Sequence, residues 1–146
     1  MMSCPSDKIL VINSPGGCLF SAVRLLEAIS TANFRVTTLA AGHCASAAFL
    51  IFLAGHRRVV YEFSLLMSHQ ASLDQAGGSV SLNDMVDSSR GFSYTNDIVR
   101  AAYCKLLSRN PRWVTTHLLN DRDVYLSAEQ ALALGVADEI QFHSCR

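Results

Sequence analysis

The segment Arg35-Val36-Thr37-Thr38-Leu39-Ala40-Ala41-Gly42-His43-Cys44-Ala45-Ser46-Ala47-Ala48-Phe49 decides the fold. Arg35 to Ala41 has the β-branched, apolar composition of a strand, and Gly42 turns the chain. Cys44 to Leu53 is small and apolar enough for a helix buried on all sides. Strand, glycine turn and helix in that order lift a side chain near the helix start into the open end of a parallel sheet, as a hydrolase nucleophile elbow does. The residue so lifted is Ser46. A serine there is also an ordinary N-cap, so the segment by itself leaves catalysis and capping both open.

Working outward, Ile9 to Ile12 is a short apolar run stopped by Asn13-Ser14-Pro15-Gly16-Gly17, a buried strand ending in a turn. Leu19, Val23, Leu26 and Ile29 follow the helical period from Leu19 to Ser30. Val59 to Tyr61 and Leu65 to Met67 read as further short strands. Such alternation predicts parallel pairing through right-handed crossovers, hence an α/β core. Beyond His69 the pattern becomes helical: one long helix over Ser81 to Leu107 with a break expected near Gly91, and a shorter one over Arg112 to Leu119. Ser127 to Leu134 reads as a helix with a Ser127/Gln130 capping box and a Gly135 stop, and Val136 to Phe142 as a closing strand. No repeat or low-complexity tract divides the 146 residues, so a single domain over 1–146 is expected.

Composition narrows the function. Half of the residues are apolar and 16% are charged, against about 25% charged in an average soluble domain, which predicts a buried interface between copies. Twelve basic residues balance twelve acidic ones, so the basic excess that nucleic-acid binding needs is missing and no nucleic-acid partner is expected. The longest apolar stretch, Cys44 to Gly55, falls well short of the roughly 20 residues that span a bilayer, so no membrane association is expected. Met1 to Lys8 has no basic, apolar and small-residue succession of a secretory signal, and a cytoplasmic location is expected. Five cysteines (Cys4, Cys18, Cys44, Cys104, Cys145) without a Cys-x-x-Cys pair predict free thiols, with neither a disulfide framework nor a metal site.

Three further pieces carry chemistry. The paired Gly16-Gly17 after a strand lets backbone amides approach a developing negative charge. His69 stands at the carboxyl end of an apolar run, where open α/β sheets keep their sites. Asp123 precedes the Ser127 cap. Taken singly, these are an ordinary turn, a structural histidine and a solvated aspartate.

Together and in this order they resemble the Clp protease proteolytic subunit (ClpP) family. Asn13-Ser14-Pro15-Gly16-Gly17 matches its Asn-Ser-Pro-Gly-Gly turn, and Gly42-x-x-Ala45-Ser46 resembles its nucleophile segment. Met67-Ser68-His69-Gln70 is similar to its Met-x-His-Gln. Asp121-Arg122-Asp123-Val124-Tyr125-Leu126-Ser127-Ala128 resembles its Asp-Arg-Asp-x-x-Leu-(Ser/Thr)-Ala, and Gly135 to Ile140 its closing Gly-(Leu/Ile)-(Ile/Val)-Asp-x-(Ile/Val). The resemblance covers about Ile9 to Ile140.

What the resemblance implies is a ClpP/crotonase-like spiral of parallel βαβ units with a helical handle at about 73–110. It implies a serine endopeptidase in which Ser46 is the nucleophile, His69 the general base and Asp123 the orienting carboxylate. The backbone N–H groups of Gly17 and Ala47 would form the oxyanion hole. The substrate is a peptide or unfolded protein, and Gly77 to Ser81 would present a strand edge to it. The assembly is a self-compartmentalising homo-oligomer of seven-membered rings. No cofactor is expected, and no Gly-x-x-x-x-Gly-Lys-(Ser/Thr) phosphate loop occurs. Members of the family carry an axial loop, a helix and a strand ahead of the first strand, which help dock an ATP-dependent unfoldase. This chain begins close to that strand, which leaves the unfoldase partnership open and predicts a wider pore or looser rings. His43, Cys44 and Ala47 stand where Gln, Ala and Met are common. A catalytically silent ClpP-like scaffold subunit and a crotonase-like acyl-CoA-binding protein are the alternatives.

Overall fold

The computed structural model describes residues 7–71 and 82–143, with side chains from 86 onward in the second stretch. The element order is β1 (Lys8–Ser14), α1 (Leu19–Thr31), β2 (Val36–Ala45), α2 (Ala47–Leu53), β3 (Arg57–Tyr61), β4 (Leu65–Ser68), α3 (Leu82–Leu107), α4 (Pro111–His117), β5 (Val124–Leu126), α5 (Ala128–Ala133) and β6 (Glu139–Gln141). Two compact units result, one from the chain up to Ser68 and again from Val124, the other from His69–Asp123.

The first unit is a mixed α/β fold built around β2. Leu39 pairs with both Val11 of β1 and Val59 of β3, and Cys44 pairs with both Ser14 of β1 and Leu66 of β4. β1 therefore runs along one edge of β2, while β3 and β4 share the other edge in succession. The exchange happens around Gly42, where side chains replace ladder bonds. The Gly42 N–H donates to Ser64 Oγ (2.9 Å), Ser64 Oγ donates to Ala40 O (3.0 Å), and Asn13 Oδ1 accepts the His43 N–H (3.1 Å). The backbone groups at the bend thereby find side-chain partners, with the Ser64–Ala40 bond itself buried.

β2 runs on to Ala45, so α2 starts at Ala47, three residues later than the composition suggests. Small apolar residues suit strand and helix alike, and pairing with β4 decides. α2 is buried except at Ile51, which is half-buried, and Phe49, Leu50, Phe52 and Leu53 are at most 1% exposed, each contributing about 1.5–3 kcal/mol. The α/β alternation gives parallel pairs for β1, β2, β3, β4 and β6, but β5 joins β4 antiparallel. The α5 capping box has both of its hydrogen bonds, Ser127 with Gln130 in each direction.

The second unit is helical. α3 passes through Gly91 without a break: one interior glycine costs about 1 kcal/mol, too little to interrupt 26 residues. Asn110 Oδ1 caps α4 by accepting the Trp113 N–H at 2.8 Å, and Pro111 occupies its first turn. Val99, Tyr103, Val114, Leu118 and Leu119 are buried. The expected substrate-binding edge at Gly77 to Ser81 lies outside the described residues. Among the described residues, no helix is long and apolar enough to cross a membrane, no His/Cys/Asp/Glu group could hold a metal ion, and Cys18, Cys44 and Cys104 are free thiols.

Candidate active site

Ser46 sits between the end of β2 and the start of α2 with φ 56° and ψ −123°. A residue with a Cβ pays for that conformation, and only a well-braced junction keeps it there. The bracing is visible: the Ser46 N–H donates to Met67 O of β4 at 2.9 Å, and the Ser46 carbonyl accepts the N–H groups of Phe49 (3.0 Å) and Leu50 (3.3 Å). The expected serine at a strand-to-helix turn is present, and its backbone is of the nucleophile-elbow kind rather than that of an ordinary extended N-cap.

The turn after β1 closes on this serine. Gly16 has φ +106°, and a Cβ built on it would lie 2.8 Å from Ser46 Cβ and 2.8 Å from Ala45 O. No residue but glycine fits. Gly17 and Ala47, expected to offer amides to an oxyanion, line one cavity of about 390 Å³ together with Ser14, Cys18 and Ile51. Ala47 opens α2, where backbone N–H groups have no intrahelical acceptor.

Two neighbours of Ser46 had no assigned role. Burial pushes the Cys44 thiol up to about 12, so it stays protonated and serves as packing. His43 contributes its backbone N–H to the Asn13 bond that holds the bend in β2.

In the second unit His69 and Asp123 come together, with Nδ1 and Oδ1 3.6 Å apart. That is slightly beyond hydrogen-bond length. Asp123 is half exposed. Both residues line a cavity of about 390 Å³ with Gln70, Asn120, Asp121 and Arg122. Ser46 belongs to the first unit, and His69 and Asp123 to the second. Sequence reasoning missed three side chains that brace these segments, Asn13, Ser64 and Gln70. Asn13 and Gln70 lie inside quoted motifs, which was their only signal.

A serine on a strained strand-to-helix junction, with a glycine turn packed on it, defines a class of α/β folds built to expose a hydroxyl beside backbone amides. The Clp protease family model matches residues 3–144, and the chain belongs to that family. It is 29% identical over 135 residues to the ATP-dependent Clp protease proteolytic subunits of Sorghum bicolor and Oryza sativa subsp. japonica, and 28% identical to that of Triticum aestivum. These alignments take in 91% of the chain, which spans 61% of the length of those relatives.

Proposed function

We propose that this chain, as one domain, is a serine endopeptidase that hydrolyses peptides or unfolded proteins by acyl transfer inside a homo-oligomer. The observation that carries the reading is the Ser46 backbone, because strain of this kind is retained where a side chain has a task. Ser46 Oγ attacks the scissile carbonyl carbon while the His69 imidazole takes the hydroxyl proton, and Asp123 stabilises the imidazolium. The carbonyl electron pair moves onto oxygen, where the N–H groups of Gly17 and Ala47 donate to it. Collapse breaks the C–N bond, His69 returns its proton to the leaving amine, and the acyl-enzyme remains. Water repeats the sequence and frees Ser46.

The cavity that Gly17 and Ala47 share supports their pairing, and the 3.6 Å approach supports Asp123 as partner of His69. Exposed Ile9, Val11, Phe20 and Phe63, with the low charge fraction, support burial between copies. Family resemblance supports seven-membered rings, with an ATP-dependent unfoldase as an optional partner. The test is hydrolysis of a short fluorogenic peptide, fluorophosphonate labelling and sedimentation, on wild type and Ser46→Ala. Labelling and hydrolysis by a large particle, both lost in Ser46→Ala, are expected. Hydrolysis surviving in Ser46→Ala would overturn the nucleophile. An unlabelled but assembled wild type would make the chain a catalytically silent scaffold, and active monomers would remove the compartment.

A further inference from the structure

His69 and Asp123 stand at the two ends of one compact unit, and Asp123 is half exposed, so burial alone does not fix their separation. The Gln70 side chain bridges the two segments that carry them. Gln70, next to His69, uses both hydrogens of its amide: Nε2 donates to Leu119 O at 3.1 Å and to Asn120 O at 3.0 Å. Asn120 Oδ1 in turn accepts the Arg122 N–H at 2.9 Å, bracing the loop up to the residue before Asp123. On the other side of the amide, Gln70 Oε1 accepts from Asn96 Nδ2 of α3 at 3.4 Å, and Asn96 Oδ1 accepts the Ala71 N–H at 2.7 Å. The orientation is unique, because a flipped amide would set its oxygen against two carbonyl oxygens. Glutamate has the same shape and no hydrogen to donate.

We propose that Gln70 is a positioning residue for the His69–Asp123 pair, clamping the loop that carries Asp123 to the segment that carries His69, with Asn96 fixing the clamp's orientation. The inference rests on the peptidase reading above. Proton transfer through an imidazole depends on its orientation, and a misplacement of about 1 Å costs up to about a hundredfold in rate. Releasing the clamp therefore lowers turnover while substrate binding is unchanged. Asp121 and Arg122 line the same cavity and are left in place by the test.

The experiment is a double-mutant cycle on the full chain, with peptide hydrolysis measured for wild type, Gln70→Met, Asp123→Asn and the double variant, and thermal melting as the check of folding. Gln70→Met is expected to lower kcat by about ten- to a hundredfold with KM within about twofold. In the Asp123→Asn background the same change should cost less than about twofold, because the geometry it maintained is already useless. A merely structural role would give the same loss in both backgrounds, and that result would overturn the inference, as would full activity in Gln70→Met. Should Gln70→Met fail to fold, Asn96→Ala in the same cycle carries the test, with about a threefold kcat loss expected in wild type and none beside Asp123→Asn. A wild type without peptidase activity overturns the peptidase reading itself, whereas an active wild type indifferent to Gln70→Met overturns only the clamp.

Discussion

A methyl group on Gly16 would lie 2.8 Å from the Cβ of Ser46. The turn after β1 and the junction after β2 are therefore in contact with no room to spare, and the position of one dictates that of the other. Gly16→Ala adds both a steric conflict with Ser46 and a side chain at φ +106°. The expected cost is about 2–4 kcal/mol of stability. Peptide hydrolysis should fall further than melting temperature predicts, because relief of the clash displaces Ser46. Denaturant unfolding and steady-state kinetics on the same sample check both halves, and an unaltered midpoint would show that the turn yields freely.

Strain at Ser46 gives a second expectation. Ser46→Gly removes the side chain that makes φ 56° unfavourable, whereas Ser46→Ala keeps a Cβ there. Both variants should be inactive, yet Ser46→Gly should melt higher than Ser46→Ala, by about 1 kcal/mol in unfolding free energy. Equal stability of the two would mean that the junction carries no strain worth relieving.

Much of this architecture was legible in the chain. The helical period gave α1 nearly to its ends, Ser127 with Gln130 gave the α5 start, and strand, glycine and serine gave the junction. What escaped depends on partners distant in sequence. Cys44 and Ala45 have compositions that fit strand or helix, and pairing with Ser14 of β1 and with Leu66 and Met67 of β4 makes them strand. Val124 to Leu126 is too short for any period, and its antiparallel pairing with β4 is set by the return of the chain. The Gln70 bonds to Leu119 and Asn120 join residues about fifty positions apart, a relation no local pattern encodes.

Thiol reactivity separates two cysteines that composition treats alike. Cys18 is exposed, and hydrogen bonding from Ser21, its hydroxyl first and its backbone second, lowers its thiol below the ordinary value. Cys44 is buried and pushed up to about 12, leaving about one part in ten thousand as thiolate at pH 8. Iodoacetamide at pH 8 should therefore modify Cys18 in the native protein and leave Cys44 untouched until unfolding, as peptide mapping by mass spectrometry would record. Early alkylation of Cys44 would mean that α2 opens readily.

The last expectation concerns the closing strand. Arg58 holds Asp138 through its backbone N–H (2.8 Å) and two guanidinium bonds (3.1 and 2.6 Å), fastening the start of β6 beside β3. Burial by itself would raise the Asp138 pKa. The hydrogen bonds from Arg58, then the charges of Arg58 and Arg57, outweigh it and hold the carboxyl below its ordinary value. A carboxyl depressed in the folded state contributes stability that is complete above the ordinary carboxylate range, near pH 4, and is lost as pH falls through the lower folded value. Asp138→Asn should cost about 1–3 kcal/mol at pH 7, toward the low end because the Asp138 side chain is 40% exposed. The gap between wild type and Asp138→Asn should then narrow as pH drops from about 5 toward 2, since protonation deprives the wild type of the same charge. Chemical denaturation of both proteins across that range measures the gap directly, and a gap that stays constant would remove the ion pair as its cause.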